Sequence, residues 1–96
     1  MIKNYSKQIV LWTKHASEEV LEDNFEPRLI EQNLDKVVEL PEFNGEKKRG
    51  IIRLNGKYCT LIYIRINFGI KIITCWESNP TDIQEYKQNI RKKQNG

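Results

Sequence analysis

Residues 49–77 read RGIIRL-NG-KYCTLIYIRI-NFG-IKIITCWE, three β-rich stretches joined by two glycine-containing turns. Asn55-Gly56 between apolar runs is a strong hairpin signal, because a type I′ turn needs positive φ at both central residues. It pairs Leu54 with Lys57, Arg53 with Tyr58 and Ile52 with Cys59. Asn67-Phe68-Gly69 fits a three-residue loop with glycine at the left-handed position, which pairs Ile66 with Ile70. The expected product is an antiparallel meander. In that register one face carries Ile51, Arg53, Tyr58, Thr60, Ile62, Ile64, Ile66, Ile70, Ile72, Thr74 and Trp76. The other carries Ile52, Leu54, Cys59, Leu61, Tyr63, Arg65, Lys71, Ile73, Cys75 and Glu77. The isoleucine-rich first face is expected to bury against helices, while the second sets Arg65 opposite Lys71. Two like charges facing each other across strands are unfavourable unless an anion or a carboxylate sits between them.

Outward from the meander, Gln8 to Trp12 suits a short strand. Thr13 follows as a helix N-cap, with a helix over about 14–23 that places Ala16 and Val20 on one face, with or without Leu21, and stops at Asn24. Pro27 suits the first position of a second helix. There Leu29, Ile30, Asn33, Leu34, Val37 and Val38 recur at helical spacing, although the two valines equally suit a strand running to about Phe43. Pro41 restricts that strand to an edge or a short piece, and Asn44-Gly45 turns the chain. Pro80 opens a third helix capped by Ser78 or Asn79, with Ile83, Tyr86 and Ile90 as its stripe. The expected fold class is α+β: two N-terminal helices on a three- to four-stranded antiparallel sheet, closed by a C-terminal helix. Residues 1–93 form one domain and 94–96 a frayed tail.

The 96 residues suffice for one domain with a modest core. With 39% hydrophobic and 30% charged residues the composition is that of a globular protein. The net charge of +3 is unevenly spread. Lys47-Lys48-Arg49 and Arg91-Lys92-Lys93 are basic clusters, and Glu18, Glu19, Glu22, Asp23 and Glu26 form an acidic stretch. The basic clusters suit a polyanion, or are simply solvated surface. Cys59 and Cys75 fit no zinc spacing and read as buried, inert thiols in a reducing compartment. No signal peptide and no apolar run of membrane-spanning length is present, so a cytoplasmic protein is expected.

No glycine-rich phosphate loop, metal-ligand cluster or serine-nucleophile motif appears, and no cofactor or metal is expected. His15 is either a partly exposed helix residue or a general acid–base group, being the one side-chain type that titrates near neutrality unaided. Cleavage of RNA by its own 2′-OH needs only a proton acceptor, a proton donor and cations on the phosphoryl oxygens. His15, Arg65 and Lys71 supply those types as catalytic candidates. Lys47, Lys48, Arg49, Arg53 and Tyr63 are the RNA-binding candidates.

Trp12-Thr13-Lys14-His15-Ala16, the helix ending near Leu34, and Ile72-Ile73-Thr74-Cys75-Trp76 resemble an uncharacterised family related to BrnT-type toxins, within the RelE/ParE superfamily. The resemblance runs over most of the chain, from Trp12 to Trp76. It implies a RelE-like fold and the toxin component of a toxin–antitoxin system. The implied activity is cleavage of mRNA, free or on the ribosome, neutralised by a small antitoxin protein. The superfamily also holds inactive members and gyrase poisons, so a non-catalytic protein- or nucleic-acid-binding module is the alternative. One departure is visible: relatives tend to carry arginines along the first helix where this chain has Glu19 and Asp23.

Overall fold

A computed structural model describes residues 9–40 and 45–95, with side chains described as far as Arg91. The elements are β1 (Ile9–Trp12), α1 (Lys14–Glu22), α2 (Pro27–Gln32), a 3-10 turn (Leu34–Lys36), β2 (Val38–Glu39), β3 (Lys47–Leu54), β4 (Lys57–Ile66), β5 (Gly69–Glu77) and α3 (Pro80–Asn95). The expected strand start at Gln8, the strand end at Phe43 with its Pro41, and Asn44 lie outside the described residues, as do the side chains of Lys92 and Lys93.

The class is α+β, but the sheet is larger than a meander. Five strands lie in the order β1-β5-β4-β3-β2. Strand β1 runs parallel to β5, pairing Ile9 with Gly69 and Trp12 with Ile72, and so makes the sheet mixed. The hairpin logic could not foresee this, because a parallel pair carries no turn signal between its strands.

The Asn55-Gly56 hairpin forms in the expected register, with Leu54 opposite Lys57, and both turn residues take positive φ (51° and 86°). The second turn differs. Ile66 pairs with Gly69 across two residues, Asn67 and Phe68, and Arg65 pairs with Ile70. Lys71 therefore lies opposite Ile64, and the expected Arg65–Lys71 confrontation does not exist. Beyond Ile62 a bulge absorbs Ile73 and returns the pairing to Ile62–Thr74 and Leu61–Cys75. The two-residue turn puts Ile70 and Ile72 on the face expected to be the more polar one, beside Tyr63, and the bulge ends that shift.

That face is the one the N-terminal helices cover, reversing the expected assignment. Its core joins Ala16, Val20, Phe25 and Ile30 to Ile52, Leu54, Cys59, Leu61, Tyr63, Ile70, Ile72 and Cys75. The choice is physical: Val10 and Trp12 of β1 pack against this cluster too, so the helix side extends over the fifth strand. Gly50 lets the core close across β3. A Cβ there would sit 2.6 Å from Val37 Cγ2 and 3.3 Å from Tyr63 Cε1. The opposite face, with Ile51, Thr60 and Ile62 buried, lies under α3.

Helix α1 ends as its sequence dictates. Asn24 takes φ 64°, its N–H bonds to Leu21 O at 3.0 Å, and the Phe25 N–H bonds to Val20 O at 2.9 Å. These are the two bonds of a Schellman stop, with Val20 and Phe25 both buried as its apolar contact. Helix α3 begins with a reciprocal box: the Asp82 N–H donates to Asn79 Oδ1 at 2.8 Å, and the Asn79 N–H donates to Asp82 Oδ2 at 3.2 Å.

Candidate functional site

Thr13, Ala16 and the segment from Ile72 to Cys75 meet where α1 leaves β1. Strand β1 covers β5 only as far as Ile72, so from Ile73 onward the edge of β5 would be bare. Helix α1 continues in the direction of β1 and covers it with polar side chains. The Thr13 hydroxyl donates to Ile73 O at 2.9 Å while accepting from the Ala16 N–H at 3.1 Å. Glu19 Oε1 accepts from the Thr74 hydroxyl and from the Cys75 N–H. Asp23 Oδ2 accepts from the Glu77 N–H at 3.0 Å. The four-residue step from Glu19 to Asp23 advances about 6 Å along a helix, close to the two-residue step from Cys75 to Glu77 along a strand. Acidic residues thus stand here because they pair with strand N–H groups, which arginine cannot do.

The second oxygen of Glu19 lies 3.2 Å from His15 Nε2. The Thr74 hydroxyl, the Cys75 N–H and the histidine hold the Glu19 carboxyl below the usual carboxylate value, against the opposing effect of burial. The His15 side chain is 66% exposed, so its imidazole is oriented by a fixed carboxylate on one side and open on the other. A base held by a third group is the arrangement that acid–base catalysis uses. A helix-surface pair four residues apart is also commonplace.

The other candidates do not converge on His15. Arg65 donates to Glu39 Oε2 at 3.0 Å and lies over the Tyr63 ring, 5.9 Å from its centroid. Tyr63 donates its own hydroxyl to Glu39 and is only 2% exposed, a core residue rather than an open RNA contact. Burial, with Glu39 next, pushes the Tyr63 phenol up, so it stays a donor. Glu39 belongs to β2, which β4 and β3 separate from the β5 edge where His15 sits. Lys71 projects from the opposite face of the sheet to Arg65, exposed and beside Leu11.

Arg49 is committed to α3. It pairs with Glu85 and lies 3.6 Å from Asp82, and its Nε is buried without a partner. Asp82, 6% exposed, also accepts from Trp76 Nε1 at 2.9 Å and from the Thr60 hydroxyl at 3.2 Å. This cluster clamps the helix to the sheet. Lys47 and Arg53 are exposed, Lys48 half-buried, and none of the three has a carboxylate partner among the described residues. Contact with the Cys75 thiol and burial push the Cys59 thiol up; both cysteines are buried and free. Among the described residues no group of three or more His, Cys, Asp or Glu side chains is placed to hold a metal. No helix described is long and apolar enough to cross a membrane.

No protein-family model, curated protein or solved structure matches the chain. Sequence reasoning missed the part played by Glu19, Asp23 and Asp82. For Asp82 a signal was present in the Asn79-x-x-Asp82 spacing of a capping box. For Glu19 and Asp23 it lay in the i, i+4 carboxylates of a helix following a strand too short to cover its neighbour.

Proposed function

We propose that the protein is an RNA-directed toxin of the toxin–antitoxin class with a RelE-like fold, acting as a metal-independent endoribonuclease through His15. One observation carries this reading: the exposed His15 imidazole, in the segment that resembles the toxin-related family, is oriented by the anchored Glu19 carboxylate. In the reaction the imidazole takes the proton of a ribose 2′-OH as its oxygen attacks the adjacent phosphorus. The bond to the 5′-oxygen breaks, a proton returns to that oxygen, and a 2′,3′-cyclic phosphate remains. Lys14, exposed and next to His15, is the cation nearest in sequence to meet the phosphoryl oxygens. Arg65 is left out, because Glu39 holds it across the sheet. The proposed partner is a small antitoxin protein.

A second reading, a non-catalytic binding module of the same architecture, is supported by the dispersal of His15, Arg65 and Lys71 over different parts of the molecule. One experiment separates the two. Purified protein is incubated with end-labelled RNA in a chelator, beside His15→Ala and Arg65→Ala. The catalytic reading expects cyclic-phosphate ends that His15→Ala abolishes and Arg65→Ala leaves unchanged. Intact RNA with a folded wild-type protein favours the binding module.

A further inference from the structure

Among the described residues, α3 covers only part of its face of the sheet. The even-numbered β4 residues of that face run from Tyr58 to Ile66, about 27 Å of strand. Contacts of α3 with Tyr58, Thr60, Trp76 and Arg49 occupy the Tyr58 end. Toward the Asn67-Phe68 turn the register sets Lys47, Ile64, Lys71 and Leu11 side by side across β3, β4, β5 and β1. The next row is Ile66, Gly69 and Ile9. Ile9 and Leu11 are 45% and 47% exposed, Ile64 and Ile66 are half-buried, and Lys47 and Lys71 are exposed. Strips of exposed aliphatic surface of this kind mark interaction sites when polar residues rim them.

We propose that this surface docks an acidic amphipathic helix of another protein, laid beside α3. Three observations identify the occupant. The strand length left uncovered, about 13 Å, accepts one helix of about 10–12 Å diameter. Lys47 stands at one edge of the patch and Lys71 within it, between Ile64 and Leu11, and neither has a carboxylate partner among the described residues, so the charge that complements them is negative. The chain's own first eight residues, MIKNYSKQ, carry two lysines and no carboxylate and do not supply it. A second copy offers the exposed Glu18, Leu21 and Glu22 of its α1. That contact would join two different surfaces, a head-to-tail arrangement that propagates unless it closes into a ring. A separate partner avoids this. The inference stands apart from the RNA reading, since His15 lies on the helix layer of the other face.

The test uses the full chain and a fluorescent synthetic helix of about 14 residues, Leu and Ile along one stripe and Glu along its flanks. Its counterpart has every Glu replaced by Lys. The expected result is saturable binding of the acidic helix, weakened at least about tenfold by Lys47→Glu/Lys71→Glu, with the lysine helix binding that double variant instead. Leu11→Asp is expected to abolish both. Because the charge exchange restores binding in a new pairing, loss through misfolding is told apart from loss of contact. Equal binding to wild type and double variant overturns the proposal. So does a concentration-dependent oligomer dispersed by Leu11→Asp, which makes a second copy the occupant. A short RNA that displaces the acidic helix from the wild type but not from Lys47→Glu/Lys71→Glu assigns the surface to nucleic acid and likewise overturns it.

Discussion

Replacement of Glu19 by alanine tests how α1 is fixed to the sheet. The substitution removes the acceptor of the Cys75 N–H, the Thr74 hydroxyl and the His15 contact in one step. Cys75 is 1% exposed, so water does not replace the lost acceptor, and an unsatisfied buried donor costs about 1–3 kcal/mol. Thr74 is half-buried and finds solvent more readily, adding about 0.5 kcal/mol. The exposed histidine pair adds about 0–0.5 kcal/mol. The expected loss at pH 7 is about 2 kcal/mol. Urea denaturation followed by tryptophan fluorescence reads it directly, with the slope of the transition unchanged. The sign of the pH effect follows from the depressed Glu19 carboxyl. Its contribution is fully present above the ordinary value of 4.5 and is lost as pH falls through the lower folded-state value. The gap between wild type and Glu19→Ala therefore narrows below pH 4.5. Glu19→Gln keeps an acceptor for the Cys75 N–H and loses the pH dependence. Glu19→Arg, the residue type the resembled family favours, does no better than alanine. A loss under about 0.5 kcal/mol at neutral pH, or a gap constant into acid, refutes the account of this helix.

Asp82→Ala strips the acceptor from Trp76, Thr60 and Asn79 and leaves Arg49 with Glu85 alone, with an expected loss of about 3 kcal/mol in the same denaturation assay. Gly50→Ala forces the new methyl against Val37 and Tyr63 and is expected to cost about 1–3 kcal/mol in thermal unfolding. Gly69→Ala places Cβ 1.8 Å from the carbonyl oxygen of Ile9, which is backbone, so β1 must move away. Hydrogen exchange is expected to show the Ile9 and Thr13 amides losing protection while the β3–β4 hairpin keeps it.

Much of the fold was legible because its signals are local. Thr13 as N-cap, Asn24 as a left-handed stop, Pro27 and Pro80 at helix starts and Asn55-Gly56 in its hairpin all act through their own backbone. What was not legible depends on distant partners. The parallel pairing of β1 with β5 has no local cue. Taking Asn67-Phe68-Gly69 as a three-residue loop moved Ile70, Lys71 and Ile72 by one place against β4, and a single register step exchanges faces. That step alone created the Arg65–Lys71 pair on which part of the expected site rested. The site was harder still, since charge runs do not say which cations are already paired: among the described residues Arg49 and Arg65 hold carboxylates, while Lys47 and Lys71 do not.

Tightly induced expression in a bacterial host, with soluble protein confirmed, tests the proposed function most directly. Wild type is compared with His15→Ala and Arg65→Ala. The account predicts growth arrest that His15→Ala relieves and Arg65→Ala does not. Normal growth with the wild type, or arrest indifferent to His15→Ala, contradicts it.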